Sequence, residues 1–283
     1  MIDLHSHTDK SDGTLSAVEL IDLARVKGLR TLAITDHDTL EGYKEGASYA
    51  REHGLELICG VELSTKFHGQ TIHILGYFFH QPPGKAFCER LDSLQKARKD
   101  RNRRLAARLR DLHIPIDLEE AERLGRSQTG RPHFAQLLVQ KGYAGSIKEA
   151  FDRYLDESAP GYVERREVAL EDVIHWIHEA GGLVSWAHPA RMLTRSGMSA
   201  EAAFREMAGK AIDAIEAYHS DHGPEQQAVY QAIAAKLGLA VTGGSDFHGA
   251  AKPQIELGQV TLPAPALEAL RRLRPASPQN ALR

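Results

Sequence analysis

A chain of 283 residues, 42% hydrophobic and 26% charged, has the composition of a folded protein and a length that suits equally two domains or one large domain with an insertion. Its 35 Lys+Arg against 38 Asp+Glu leave a formal charge of −3, which excludes a global basic field that would draw it to nucleic acid or membrane. No apolar run approaches the roughly 18–20 residues that span a bilayer, and Met1-Ile2-Asp3-Leu4-His5 lacks the pattern of a secretion signal. Two cysteines, Cys59 and Cys88, speak for a reducing, cytoplasmic setting, with no membrane contact and no obligate protein partner evident. The count out of line is histidine: 15, scattered along the whole chain.

In chain order, the first third alternates short apolar runs with helical patterns, as parallel β/α units do. Ile2–Leu4 reads as a strand. Ser16-Ala17-Val18-Glu19 is a capping box that starts a helix with Leu20, Ile21 and Ala24 on one face, ended by Gly28. Thr31–Ile34 is a second strand, a helix over Glu41–His53 stops at Gly54, and Leu57–Val61 and Thr71–Phe79 are two more strands. At Pro82-Pro83-Gly84 the pattern changes. As far as Asp156 there is no strand, only helical stretches broken by Pro115, Gly125, Gly130-Arg131-Pro132 and Gly142. Alternation then resumes: a helix over Leu170–Glu179, strands Leu183–Ala187, Ala214–Tyr218 and Leu239–Thr242, a helix over Pro224–Leu237, and a last helix after Pro263. The expectation is one α/β domain, 1–81 with 157–283, interrupted by a helical insertion, 82–156.

Polar clusters follow the strands directly: His5-Ser6-His7, Thr35-Asp36-His37-Asp38, Gly60-Val61-Glu62, Ala187-His188-Pro189 and Gly244-Ser245-Asp246-Phe247-His248. Parallel β/α folds bring strand C-terminal ends to one rim, so these clusters are expected to converge in space. A lone His-x-His carries little weight; the joint placement carries it. His73 falls inside a strand, a poor position for histidine unless it is bonded or ligated. The set is imidazole and carboxylate without thiolate, which suits divalent ions such as Mn, Zn or Fe.

With Asp12 in Ser11-Asp12-Gly13 and His73-Ile74-Leu75-Gly76 added, these motifs resemble, in complete order and on both flanks of the chain, those of the PHP (polymerase and histidinol phosphatase) superfamily. The resemblance implies a distorted (β/α)7 barrel, with the insertion as a helical cap, and three divalent metal ions at the C-terminal rim, manganese or else zinc or iron. It implies that His5, His7, Glu62 and Asp246 hold one ion. Glu62 would bridge to a second, completed by His73 and His188, and Asp12, His37 and His248 would hold the third. Glu62 and Asp246 are then the candidate catalytic residues. Three dications among three carboxylates and neutral imidazoles leave a positive site for a phosphate oxyanion, and such ions activate water near neutral pH. Phosphate-ester hydrolysis follows. Amide or lactone hydrolysis on His-x-His barrels usually adds a carboxylated lysine, and no lysine here ends a clear strand at a suitable position.

The insertion carries Lys96–Arg110, rich in arginine, with Arg98 and Arg101 on one helical face. Guanidinium forks suit phosphate. By the resemblance, Arg98, Arg101 and the Arg131 of Arg131-Pro132-His133-Phe134-Ala135 bind substrate phosphate or sugar. Arg191, leaving the rim beside His188, is a further candidate, and His133 is either a substrate contact or a helix cap. The branch most resembled removes the 3′-phosphate of 3′,5′-bisphosphonucleotides such as pAp, and some members trim short RNA from the 5′ end. Relatives of that branch often have Gly-Lys-Pro where this chain has Ser158-Ala159-Pro160, so Arg165 or Arg166 would stand in for the lysine or the substrate differs. Two rivals are a histidinol-phosphate phosphatase, using Glu119, Glu120 and Glu122 for the amine, and a non-catalytic metal-stabilised binding module.

Overall fold

The computed structural model describes residues 1–125, 129–164 and 168–275. Seven strands form one sheet in sequence order: β1 (Ile2–Asp3), β2 (Thr31–Ile34), β3 (Glu56–Phe67), β4 (Gln70–Phe78), β5 (Leu183–Trp186), β6 (Ala214–His219) and β7 (Ala240–Gly244). All neighbours are parallel except β4, which runs against both β3 and β5. The sheet closes on itself where the chain beyond β1 meets the chain at the end of β7. Leu4 N–H donates to Gly243 O at 3.1 Å, Asp246 N–H to His5 O at 2.9 Å, and His7 N–H to Phe247 O at 2.9 Å. The result is the expected seven-stranded barrel, with one departure from β/α alternation: β3 and β4 form a hairpin.

The hairpin has a local cause. His68 (φ 48°) and Gly69 (φ 72°) both take the left-handed conformation, as a two-residue type I′ turn requires. β3 therefore runs well past Val61 and pairs with β4 from Cys59 opposite Phe78 to Phe67 opposite Gln70.

Helices α1 (Ala17–Val26) and α2 (Glu41–Glu52) follow β1 and β2. The capping box at α1 is present: Ser16 Oγ accepts from Glu19 N–H at 3.3 Å, and Glu19 Oε2 accepts from Ser16 N–H at 2.8 Å. Between β4 and β5 come α3 (Lys85–Asp111), α4 (Leu118–Gly125), α5 (Arg131–Gln140), α6 (Ile147–Ala150), a π-turn over Phe151–Leu155, and α7 (Leu170–Glu179). Then follow α8 (Ala190–Ser196), α9 (Ala200–Gly209), α10 (Pro224–Lys236) and α11 (Ala264–Arg272). For α8 and α9 the sequence pattern gave no expectation; α8 is only seven residues long, and α9 buries just Ala203, Phe204 and Met207.

Period-two alternation divides the strands' side chains between two layers. On β2, Leu32 and Ile34 pack under α1 and α2, while Ala33 joins Leu4, Ile58, Leu75, Tyr77 and Ala214 in another cluster. Leu267 and Leu270 of α11 pack with Ile2, Leu183 and Ala214, residues at the starts of parallel strands and so opposite the rim. The helical stretch has a cluster of its own, with Leu105, Leu109, Ile116, Phe134, Leu138 and Leu155 among its members. α3 belongs to both bodies, since Phe87, Leu91 and Leu94 pack into the barrel's largest cluster. Among the described residues no helix is long and apolar enough to cross a membrane.

The seam between β7 and β1 depends on a glycine. A Cβ on Gly244 would lie 2.3 Å from His5 N and 2.6 Å from Asp3 Oδ1. Gly244→Ala is therefore expected to destabilise the fold by about 1–3 kcal/mol, lowering Tm by about 2–8 °C. An unchanged melting curve would show that the seam tolerates a methyl group at this position.

Candidate metal centre and adjoining cavities

The rim is built by loops that leave the strands under tight control. Two buried aspartates act as clamps. Asp36 accepts from Thr8 N–H at 2.8 Å, Thr8 Oγ1–H at 2.6 Å and Ser11 Oγ–H at 2.6 Å, fixing the loop that carries Asp12. Asp3 accepts from Ser245 N–H at 2.9 Å, Ser245 Oγ–H at 2.6 Å and Gly258 N–H at 2.9 Å, fixing the loop that carries Asp246. Burial pushes both carboxyls up from the usual range, and these donors oppose it. Three rim residues sit at positive φ: Asp38 (53°), His188 (30°) and Asp246 (59°). Such backbone costs on the order of 1 kcal/mol or more per residue. It turns these side chains into the rim.

All nine residues expected to hold metal converge. Glu62 is 1% exposed and divides its oxygens between two groups. Oε2 faces His5 Nε2 at 3.3 Å, His7 Nε2 at 3.1 Å and His37 Nδ1 at 3.4 Å. Oε1 faces His73 Nδ1 at 2.8 Å and His188 Nε2 at 3.0 Å. Asp246 Oδ1 completes the first group, 3.4 Å from both His5 Nε2 and His7 Nε2. On the other side, Asp12 Oδ1 is 3.3 Å from His248 Nε2 and 3.5 Å from His7 Nδ1, and Asp12 Oδ2 is 3.6 Å from His37 Nε2. Among the described residues, donor atoms close enough to share an ion occur in four sets: His5–His7–Glu62–Asp246, His7–Asp12–His37–His248, His37–Glu62–His73 and His5–Glu216–His219.

The residues fit divalent ions. His7 Nε2 is buried without a hydrogen bond, although two carboxylate oxygens lie within 3.4 Å. A ring nitrogen aimed between two carboxylates has the position of a ligand. Burial alone would raise the Glu62 carboxyl, but His37, His73 and His5 outweigh it and hold Glu62 well below the usual carboxylate range. Asp246 is likewise held well below by His5 and Lys252 against its burial, and Asp12 by His248 and His37. Burial pushes His188 well down, with help from Arg191, and takes His37 to about 3, whereas the surrounding carboxylates outweigh burial at His5, holding it well above its usual value, and at His7, raising it to about 9. Metals require ionised carboxylates and neutral imidazoles, so a cation held by His5 and His7 would displace their protons.

Sequence reasoning passed over Glu216. On β6, fully buried, it accepts from His5 Nδ1 at 2.9 Å and from His188 N–H at 2.7 Å. It thus leaves His5 Nε2 to face Glu62 and Asp246. The available signal was an acidic residue inside the apolar run Ala214-Ile215-Glu216-Ala217. His219, 3.6 Å from Asp246 Oδ2, is buried at the cluster's edge, and His222 bonds Ala217 O.

The arginines have separate fates. Arg98 and Arg101 line one cavity of about 240 Å³ together with Asp12, His37, His73, Arg131 and His133. Arg98 also pairs with the buried Asp38. His133 caps α5, its Nδ1 accepting from Gly130 N–H at 3.0 Å, and still lines the cavity. Arg131 lies 5.9 Å from the Tyr162 ring. Arg191 Nη2 donates to Asp246 Oδ2 at 2.8 Å and its Nε to Asp221 Oδ2 at 2.7 Å, while Lys252 Nζ donates to Asp246 Oδ2 at 2.8 Å. Ala159 is buried, its N–H donated to Asp156 O; Arg165 and Arg166 lie outside the described residues.

The profile of the PHP domain matches residues 3–217. The chain belongs to the PHP family. A 5′-3′ exoribonuclease Rnm of Escherichia coli K12 is 37% identical over 272 residues, covering 93% of this chain and 90% of that protein. A 3′,5′-nucleoside bisphosphate phosphatase of Chromobacterium violaceum is 34% identical over 255 residues, 87% of each chain. Among solved structures, a candidate metal-dependent phosphoesterase of Bifidobacterium adolescentis matches with a TM-score of 0.81 at 30% identity, over 95% of this chain and 94% of its own. This PHP protein is an enzyme, a metal-dependent phosphoesterase.

Carboxylates behind metal-binding histidines commonly contribute 10- to 100-fold to affinity. Glu216→Gln should therefore weaken divalent-cation binding by about 10- to 100-fold, read by titrating the metal-stripped protein. Affinity equal to wild type would remove Glu216 from this role.

Proposed function

We propose that this enzyme hydrolyses the 3′-phosphate of 3′,5′-bisphosphonucleotides, pAp to AMP plus phosphate, and also accepts short 5′-phosphorylated RNA. In this reading His5, His7, Glu62 and Asp246 hold one cation, Glu62, His73 and His188 a second, and Asp12, His37 and His248 a third, with manganese as the preferred ion. The division of Glu62 between two groups of imidazoles carries the reading, because it is the arrangement of a carboxylate shared by two ions. When bound, such cations polarise phosphoryl oxygens and bring the pKa of water toward neutrality.

The protein's own side chains then orient the substrate. Arg98 and Arg101, on the cavity wall beside Asp12, His37 and His73, grip the 5′-phosphate, so binding energy far from the reacting phosphorus holds it in place. His133, whose Nδ1 accepts a backbone N–H, has Nε2–H left as a donor toward the same cavity. Residues 82–156 act as a cap on the barrel formed by 1–81 and 157–283. Cys59 and Cys88 are unpaired, in keeping with a cytoplasmic setting. The histidinol-phosphate alternative loses support, because Glu119, Glu120 and Glu122 are not among the residues lining this cavity and Glu120 pairs with Lys141 at 2.7 Å.

Phosphate release from pAp with Mn²⁺, compared with histidinol phosphate, tests the reading. Preference for histidinol phosphate, or release from neither, overturns it. Glu62→Ala is expected to lose bound metal and to lower turnover by more than about 100-fold. Wild-type activity at wild-type metal content would refute the shared carboxylate. Arg98→Lys with Arg101→Lys keeps a cation beside Asp38 but removes the guanidinium forks. It should raise KM for pAp by about tenfold or more while changing KM for p-nitrophenyl phosphate little. Equal effects on both substrates would remove the clamp.

A further inference from the structure

A second cavity, of about 180 Å³, adjoins the first. The two share Thr71, His73 and Arg131, and the second adds His188, Arg191 and Arg195. They therefore meet at His73, one of the two imidazoles on Glu62 Oε1, and the second cavity holds the other, His188. We propose that this second cavity receives the nucleotide downstream of the scissile phosphorus when the substrate is a phosphodiester.

The inference rests on the functional reading above and gives a place to the downstream nucleotide, which hydrolysis of pAp does not require. A phosphomonoester has no second ester group on phosphorus, so the metal-ligand cluster and the first cavity suffice for pAp. A diester carries such a group. It needs room and positive charge on the side away from the 5′-phosphate, and the second cavity supplies both beside the same histidines.

The charge is of a particular kind. Arg191 is matched by the carboxylates of Asp221 and Asp246. Arg195 and Arg131 are held by neutral acceptors: Arg195 by Gln70 Oε1 at 3.2 Å and Thr71 O at 3.0 Å, Arg131 by Leu155 O at 3.4 Å. A guanidinium oriented by neutral oxygens keeps its whole charge for an anionic ligand, whereas one facing a carboxylate does not. Ile72 and Met192 line the same space and offer apolar surface to a sugar or base.

The reaction balances as it does for the monoester. Water adds OH to phosphorus and H to O3′, and the P–O3′ bond breaks. The downstream nucleotide keeps the phosphate on its O5′. That product begins with a 5′-phosphate, the group assigned to Arg98 and Arg101, so each round yields a substrate for the next.

The test compares kcat/KM for pAp and for the trinucleotide pApApA, with Mn²⁺, in wild type, Arg195→Gln and Arg195→Glu. Wild type is expected to release pA from the 5′ end of pApApA. The ratio of kcat/KM for pApApA to that for pAp should fall about tenfold in Arg195→Gln and further in Arg195→Glu. Turnover of pAp by the variants reports that they are folded. A ratio unchanged in both variants overturns the inference, as does a wild type that hydrolyses pAp but leaves pApApA intact. If wild type hydrolyses neither, the functional reading fails first and this one with it.

Discussion

A carboxylate in a dry interior costs several kcal/mol unless surrounding charge and hydrogen bonds offset the lost hydration. Glu62 is nearly inaccessible, and five imidazoles stand within 3.4 Å of its two oxygens. Those imidazoles come from β4, from the loops after β1 and β2, and from the turn after β5. Glu62 is thus the point on which distant parts of the chain agree. The antiparallel β4 matters here, because register puts His73 opposite Ser64 and so on the same side of the hairpin as Glu62, two residues away.

The barrel serves this centre through its seam and its clamps. Asp3 and Asp36 each satisfy several donors from a rim loop, which makes the loops that bear Asp12 and Asp246 part of the rigid scaffold. The left-handed backbone at Asp38, His188 and Asp246 is the strain this scaffold sustains. His188 is notable in this respect, since the residue before a proline ordinarily favours extended backbone and this one is at φ 30°. Its N–H is held by Glu216, the same carboxylate that orients His5.

Positive charge around the centre is graded by what opposes it. Arg191 and Lys252 converge on Asp246 Oδ2 and steady the carboxylate whose other oxygen faces His5 and His7. Arg98, on the wall of the first cavity, is tied to the buried Asp38. Arg131 and Arg195 face neutral acceptors. Counting arginines therefore overstates the field available to an anionic substrate; their partners decide it.

Strands, most helices and most of the converging side chains were legible in the chain itself, with Asp12 joined to them only by the motif resemblance. Each is written in local terms: apolar period, capping residues such as Ser16 and Glu19, and ligand-type residues placed just after β-runs. Other features exist only once the barrel closes. Glu216 meets His5 across 211 positions, and nothing local in Ala214–Tyr218 announces the partner. The commitment of Arg98 to Asp38 and of Arg191 to Asp221 and Asp246 was likewise decided by tertiary structure. The extension of β3 into a hairpin is different: it is local, set by the left-handed pair His68 and Gly69, but hydrophobic pattern does not mark it. Periodicity and residue chemistry specify which face a side chain takes and what it can bind. Which distant group it finds there depends on how the sheet closes.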